Sequence, residues 1–271
     1  MIVKDGLELR AGLIYRLFNY LIEGLSGLAV ISLFIGIWEI GAQYMGSFIL
    51  PSPIVVLQRA YTLLSISNSD LIITLYRTAI TTTLAFMVGS ILGVICGSFK
   101  TLAKIFRPLM DIFLGIAPIV WIVLALFWFG IGDLSVMFSV FIAIFPLSFA
   151  NAMLGVITLD KGLNEVCIAY RLNLYKRLKS YYMPHILPYL LNSLNIVVAM
   201  GIKIMIMAEL LGAIDGVGAV IADARSYLDT ALVLAYVVIM VGIILLFNFL
   251  IIRPIEMMFL PWLDRRPRGT R

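Results

Sequence analysis

Charge is scarce in this chain. Only 13% of its 271 residues are Asp, Glu, Lys or Arg, against 62% hydrophobic. A soluble domain carries about 25% charged and roughly 45 to 50% apolar residues, so a single water-exposed globule of this length would lack the polar surface to cover itself. Disorder is excluded by the same scarcity of polar residues. Cysteine is scarcer still: Cys96 and Cys167 lie far apart, each in or beside an apolar stretch, which rules out a disulfide-stapled scaffold and a thiolate metal cluster. The lone histidine, His185, has no Cys, His or carboxylate clustered near it. It therefore marks the return of a loop to the membrane and not a metal site. No nucleophile and base, and no ligand set, stand at a spacing that would make an enzyme.

What the chain does have is long hydrocarbon. A helix rises about 1.5 Å per residue, so crossing a bilayer core of roughly 30 Å takes about 20 apolar residues. Six stretches qualify, at 25–44, 79–97, 108–129, 134–157, 188–207 and 231–252. All are apolar on every side, which is not the alternating pattern of a membrane barrel. The expected class is an all-α membrane protein with six transmembrane helices. Of the 20 Lys and Arg residues, sixteen flank the spans on one side, only Arg59, Arg77 and Arg225 fall on the other, and Lys203 is left within a span. Basic residues gather on the cytoplasmic side, which puts both termini there. The net charge of +5 is thus explained by topology, without nucleic acid. Residues 253–271 form a basic cytoplasmic tail. The first apolar run is too long for a cleaved leader. Before it, Leu13, Ile14, Leu17, Phe18, Leu21 and Ile22 recur at helical spacing, so residues 1–24 read as an interfacial helix, with a plain extension of the first span as the alternative.

Gly89, Gly93 and Gly97 recur every fourth residue in the second span, which lets another helix backbone come close. Packing within the chain is the simpler expectation. Pro118 and Pro146 can bend their spans. Met137, Met153, Met200, Met205 and Met207 could line an adaptable cavity, or simply fill space. Ionisable groups inside a span cost about 2.5 to 3.5 kcal/mol each on insertion scales, and Glu39 and Lys203 fall at similar depth. They either face one another or a shared aqueous cavity, or each snorkels outward. Glu39, Lys203, Met207 and Glu209 are the candidate pathway residues.

The loop 158–187 holds five basic residues and is not low-complexity. It reads as two short helices, 165–170 and 174–182, ended by Pro184. Val166, Ala169, Leu172 and Leu174 beside a basic face make a surface for another protein, with anionic headgroups as an alternative partner for the basic side.

The segment Glu165 to Pro184, EVCIAYRLNLYKRLKSYYMP, resembles the EAA loop of permease subunits of bacterial ABC importers: a leading Glu, two small residues, basic and aromatic positions and a closing Pro. The family's glycine is Arg171 here, and its alanines are Val166 and Cys167. LPSP at 50–53, FWFGIGDLS at 127–135 and AELLGAIDGVG at 208–218 resemble, in order and spacing, the sulfonate, taurine and nitrate branch of these permeases. Permeases for thiamine precursors and riboflavin share much of this pattern. The resemblance implies a type I importer permease fold whose domain, 25–252, works as a pair of permease copies with two cytoplasmic ATPase subunits and a periplasmic solute-binding protein. ATP and Mg would be held by the ATPase, with no cofactor in this chain. It also implies that Glu165, Val166, Cys167, Ala169, Arg171 and Leu174 belong to a coupling helix docked on the ATPase, and that Asp215, Asp223 and Asp229 meet basic residues of the binding protein, with plain solvation of the loop as the alternative for the three aspartates. A self-sufficient secondary transporter is the rival, but it would place ion-coupling charges at midplane within internal repeats, and no repeat is evident.

Overall fold

The computed structural model describes residues 13–65, 69–159, 162, 167, 169–170, 173–177, 181–252 and 254–255. Among the described residues every element is helical: α1 (Leu13–Met45), α2 (Pro53–Ser65), α3 (Ser69–Ser98), α4 (Lys100–Gly115), α5 (Pro118–Phe129), α6 (Asp133–Ile157), α7 (Leu174–Arg177), α8 (Met183–Gly212), α9 (Val217–Ser226) and α10 (Thr230–Phe247), which continues into a π-helical turn (Asn248–Ile252).

Among the described residues, four helices are long and apolar enough to cross a membrane: α3, α6, α8, and α10 with its π turn. The expected third span, 108–129, is not one rod. It breaks at Ile116 and Ala117, and α4 and α5 meet at 89°. Proline cannot continue a helix from its own N–H but suits the first turn of a new one, so Pro118 restarts the chain in a new direction. Pro146, by contrast, lies within an unbroken α6. The expected boundary at 24/25 falls inside α1, which runs without interruption from Leu13. α3 and α8 start ten and five residues before the apolar runs that announced them, because their first turns are held by polar contacts described below.

The centre of the bundle is the seam between α3 and α6. A Cβ added at Gly89 would lie 2.9 Å from the Phe145 carbonyl oxygen, one at Gly93 2.4 Å from that of Phe149, and one at Gly97 3.0 Å from that of Met153. The glycine stripe thus packs within the chain, backbone against backbone. Ser90 and Ser148 share a hydrogen bond of 3.1 Å across it. Substituting Gly93 by valine is expected to destabilise the fold by about 1 to 3 kcal/mol through overpacking, read as a lower midpoint of thermal unfolding in detergent. An unchanged midpoint would mean that the seam tolerates separation.

On one side of this seam, Ile122, Val136, Val140, Ile144, Val197, Ile204 and Met205 form the main core of α5, α6 and α8. Cys96, Met110, Phe149 and Met153 form a second cluster under α4. Met205 and Met153 are therefore core residues and do not line a cavity; Met200 and Met207 are exposed. α10 packs on α2 and α9. α1 touches chiefly α2, and Trp38 Nε1 donates to the Pro51 carbonyl at 3.0 Å. That bond places the LPSP turn beneath α1.

Candidate functional site

The start of α3, the start of α6 and the end of α8 are tied together by one buried cation. Arg77 on α3 is almost wholly buried, and so is Glu209 on α8. Arg77 Nη1 donates to Glu209 Oε1 at 3.1 Å and to the Asp215 carbonyl at 3.1 Å, while Nη2 donates to Asp215 Oδ1 at 2.6 Å and to Asp133 Oδ1. Removing a charge from water is costly unless it is paired and fully hydrogen-bonded. Glu209 meets that demand three ways, since Thr74 Oγ1 donates to Oε2 at 2.7 Å and the Gly218 N–H donates to the same oxygen at 3.0 Å.

The chain after α8 is shaped around this carboxylate. Gly216 has φ +95°, a region that disfavours side chains, and a Cβ there would sit 2.7 Å from Glu209 Oε1. A Cβ at Gly218 would lie 2.4 Å from Glu209 Cβ and 2.5 Å from the Ile206 carbonyl. Gly216 N–H donates to Asp70 Oδ1 at 3.1 Å and Val217 N–H to Thr74 Oγ1 at 2.8 Å. Two N–H groups at the start of α9 that have no acceptor within their own helix are thereby satisfied by the first turns of α3. The α5–α6 turn joins the same cluster: Gly130 and Gly132 have φ +74° and +144°, and Gly132 N–H donates to the Gly212 carbonyl at 2.9 Å. The FWFGIGDLS and AELLGAIDGVG blocks are thus two halves of one clasp around Arg77.

Several expectations change. Glu209 is fully buried inside this clasp. Asp215 is taken by Arg77, and Asp229 accepts from Leu232 N–H at 3.0 Å as the cap of α10 and meets Arg59 at 3.5 Å. Asp223 alone of the three is fully exposed and without an ion pair among the described residues. Glu39 accepts a 3.4 Å hydrogen bond from Gln43 on its own helix, and no ion pair joins it to Lys203. α1 packs away from α8, so the pairing reading of these two charges is set aside within one chain. His185 lies in the first turn of α8, 3.3 Å from Thr158 Oγ1, where the loop returns to the bundle.

Lys203 is left as an open cation. It shares the exposed side of α8 with Met200, Met207 and Leu211, positions that recur at helical spacing, and it has no carboxylate within ion-pair distance among the described residues. Of the coupling-loop candidates, Cys167 and Ala169 are helical and Leu174 begins α7. Glu165, Val166 and Arg171 lie outside the described residues.

The described residues thus form an all-α, multi-pass membrane bundle. Residues 89–257 match the family described as binding-protein-dependent transport system inner membrane component, and the chain belongs to it. The chain is 25% identical over 233 residues to the taurine transport system permease protein of Escherichia coli (strain K12), covering 83% of this chain and 84% of that one. It is 26% identical to the nitrate import permease protein of Synechococcus elongatus, covering 71% and 73%. Its fold resembles an inward-facing conformation of the MetNI methionine ABC transporter, with a TM-score of 0.55 at 21% identity over 67% of this chain and 92% of that one. This chain is a non-catalytic, multi-pass inner-membrane permease subunit of an ABC-type importer.

Proposed function

We propose that the chain is the translocation subunit of an importer for a small anion bearing a sulfonate or similar oxyanion group. The observation that carries this is Lys203: a cation at membrane depth, on an open helix side, with no carboxylate to neutralise it. Such a group is costly in hydrocarbon and is kept where it meets water or a ligand. The names of the taurine and nitrate relatives support the same chemistry. In this reading two permease copies set their α8 helices face to face, so that Lys203 and Met207 of both copies line the pathway. The six spans are α1, α3, the bent pair α4–α5, α6, α8 and α10, with both termini cytoplasmic. A periplasmic binding protein delivers the anion, and two ATPase subunits grip the loop 158–187 through Glu165, Val166, Cys167, Ala169, Arg171 and Leu174. Glu39 has no place on this pathway within one chain.

Lys203→Gln is expected to lower uptake into proteoliposomes by about tenfold, the factor equivalent to roughly 1.4 kcal/mol, with assembly unchanged, while Lys203→Arg keeps most of it. Full uptake by Lys203→Gln would sink the anion pathway. Titrating the purified binding protein calorimetrically with taurine, other sulfonates, nitrate, bicarbonate and pyrimidine precursors identifies the solute. Selective binding of a pyrimidine precursor would favour the thiamine-precursor alternative.

A further inference from the structure

At the end of the bundle opposite the Arg77 clasp, the ends of α3 and α6, the start of α4 and the residues just before α8 enclose a cavity of about 610 Å³. It falls within the range of small-ligand sites, roughly 300 to 1,000 Å³. One wall carries Lys100, Lys104 and Arg107; the facing wall carries Ile157, Tyr181 and Tyr182. The three cations stand four and three residues apart, hence on one stripe of α4. Among the described residues none of them is in an ion pair. Three like charges on one wall of a concave site repel each other until an anion sits among them.

The depth of the cavity narrows the choice of anion. α3 ends at Ser98, α6 ends at Ile157 and α4 begins at Lys100, so the cations sit where the spans leave hydrocarbon. α4 then dips toward the core, with the Phe106 ring 6.2 Å from that of Phe149 and Met110 buried beside Met153. A third side of α4, with Ile105, Leu109 and Ile112, is exposed and apolar. One helix therefore presents charge, core contacts and a hydrocarbon-facing side in turn, the pattern of a segment seated at the membrane interface. The two tyrosine rings, 5.0 Å apart and edge to face, complete a lining that is amphipathic and not purely ionic.

We propose that this cavity holds the phosphodiester headgroup of an anionic phospholipid from the cytoplasmic leaflet. The phosphate oxygens accept charge-assisted hydrogen bonds from Lys100, Lys104 and Arg107, and the glycerol lies against Tyr182 and Ile157. Basic pockets between spans on the cytoplasmic side recognise such headgroups. The assignment of this end to the cytoplasm rests on the functional reading above. Since Leu159 and Tyr181 also line the cavity, a bound headgroup braces both ends of the loop 158–187.

The test uses the permease assembled with its ATPase in nanodiscs of phosphatidylcholine with a minority of phosphatidylglycerol, followed by native mass spectrometry. Wild type is expected to retain phosphatidylglycerol enriched roughly fivefold or more over the disc composition, the factor that even one basic residue near a headgroup supplies. The triple variant K100Q/K104Q/R107Q, changed only at exposed positions, is expected to keep its assembly and fall to the disc ratio. Binding of soluble glycerol phosphate by wild type with no lipid enrichment would overturn the lipid source. Enrichment that survives in the triple variant, or a triple variant that keeps the lipid and loses the ATPase, would overturn the site itself. A wild-type complex that shows the enrichment and yet imports no anion counts against the functional reading alone.

Discussion

Arg77→Gln is expected to cost the fold about 3 to 5 kcal/mol, the penalty for stranding a buried charge without its partner. Glu209 has no route to water in the folded chain, being fully buried, and Thr74 and Gly218 cannot neutralise it. The loss reaches three elements at once, because the same guanidinium holds Asp133 at the start of α6 and Asp215 in the turn before α9. The expected readout is poor recovery from membranes and a large fall in unfolding midpoint. The decisive comparison is the double variant Arg77→Gln with Glu209→Gln. Removing both charges leaves amides that still hydrogen-bond, so the double variant is expected to be more stable than Arg77→Gln alone, with a coupling of about 2 kcal/mol, within the usual span for contacting residues. Strictly additive losses would show that the pair contributes no more than its packing.

Deleting residues 165–174 is expected to abolish co-purification of the ATPase while leaving the bundle intact. The flanking α6 and α8 make their contacts with the core independently of that stretch, through Val140, Ile144, Val197 and Met205. The check has two parts: affinity capture of the ATPase from a co-expressing membrane preparation, and the unfolding midpoint of the deleted permease. Capture at the wild-type level from a stable deletion variant would remove the coupling role of Glu165, Val166, Cys167, Ala169 and Arg171. Arg171 occupies the position where the family has glycine, so Arg171→Gly provides a milder comparison in which capture is expected to persist.

Four of the expected spans, those of α3, α6, α8 and α10, were legible because hydrocarbon thickness imposes length and composition. α6 agrees with its expected bounds to one residue at its start. The glycine stripe was equally legible, since spacing of four puts Gly89, Gly93 and Gly97 on one side whatever they meet. The break at Ile116 and Ala117 was less so: a proline marks a possible bend, but whether the helix kinks or restarts is decided by what its two halves pack against. Glu39 and Lys203 looked like partners because depth alone was available; rotation about the helix axes separates them. Composition alone does not single out Arg77, which is one of three basic residues on the sparse side. A signal was present. Thr74, Arg77, Thr78 and Thr81 form a polar stripe at the head of an apolar span, and Glu209, in a span end with glycines close behind it, needed a cation from that sparse set.

The seam of glycines between α3 and α6 has a mechanical consequence. Backbone seated on backbone works like a spline: turning α3 until a residue with a Cβ took the place of Gly93 would bring that carbon to 2.4 Å from the Phe149 carbonyl oxygen. These two rods can therefore swing only as a keel, in one piece. Any tilting that alternates the two faces of the carrier has to be absorbed elsewhere. The expected compliant joint is the sharp elbow at Ile116 and Ala117, where α4 and α5 meet at 89°.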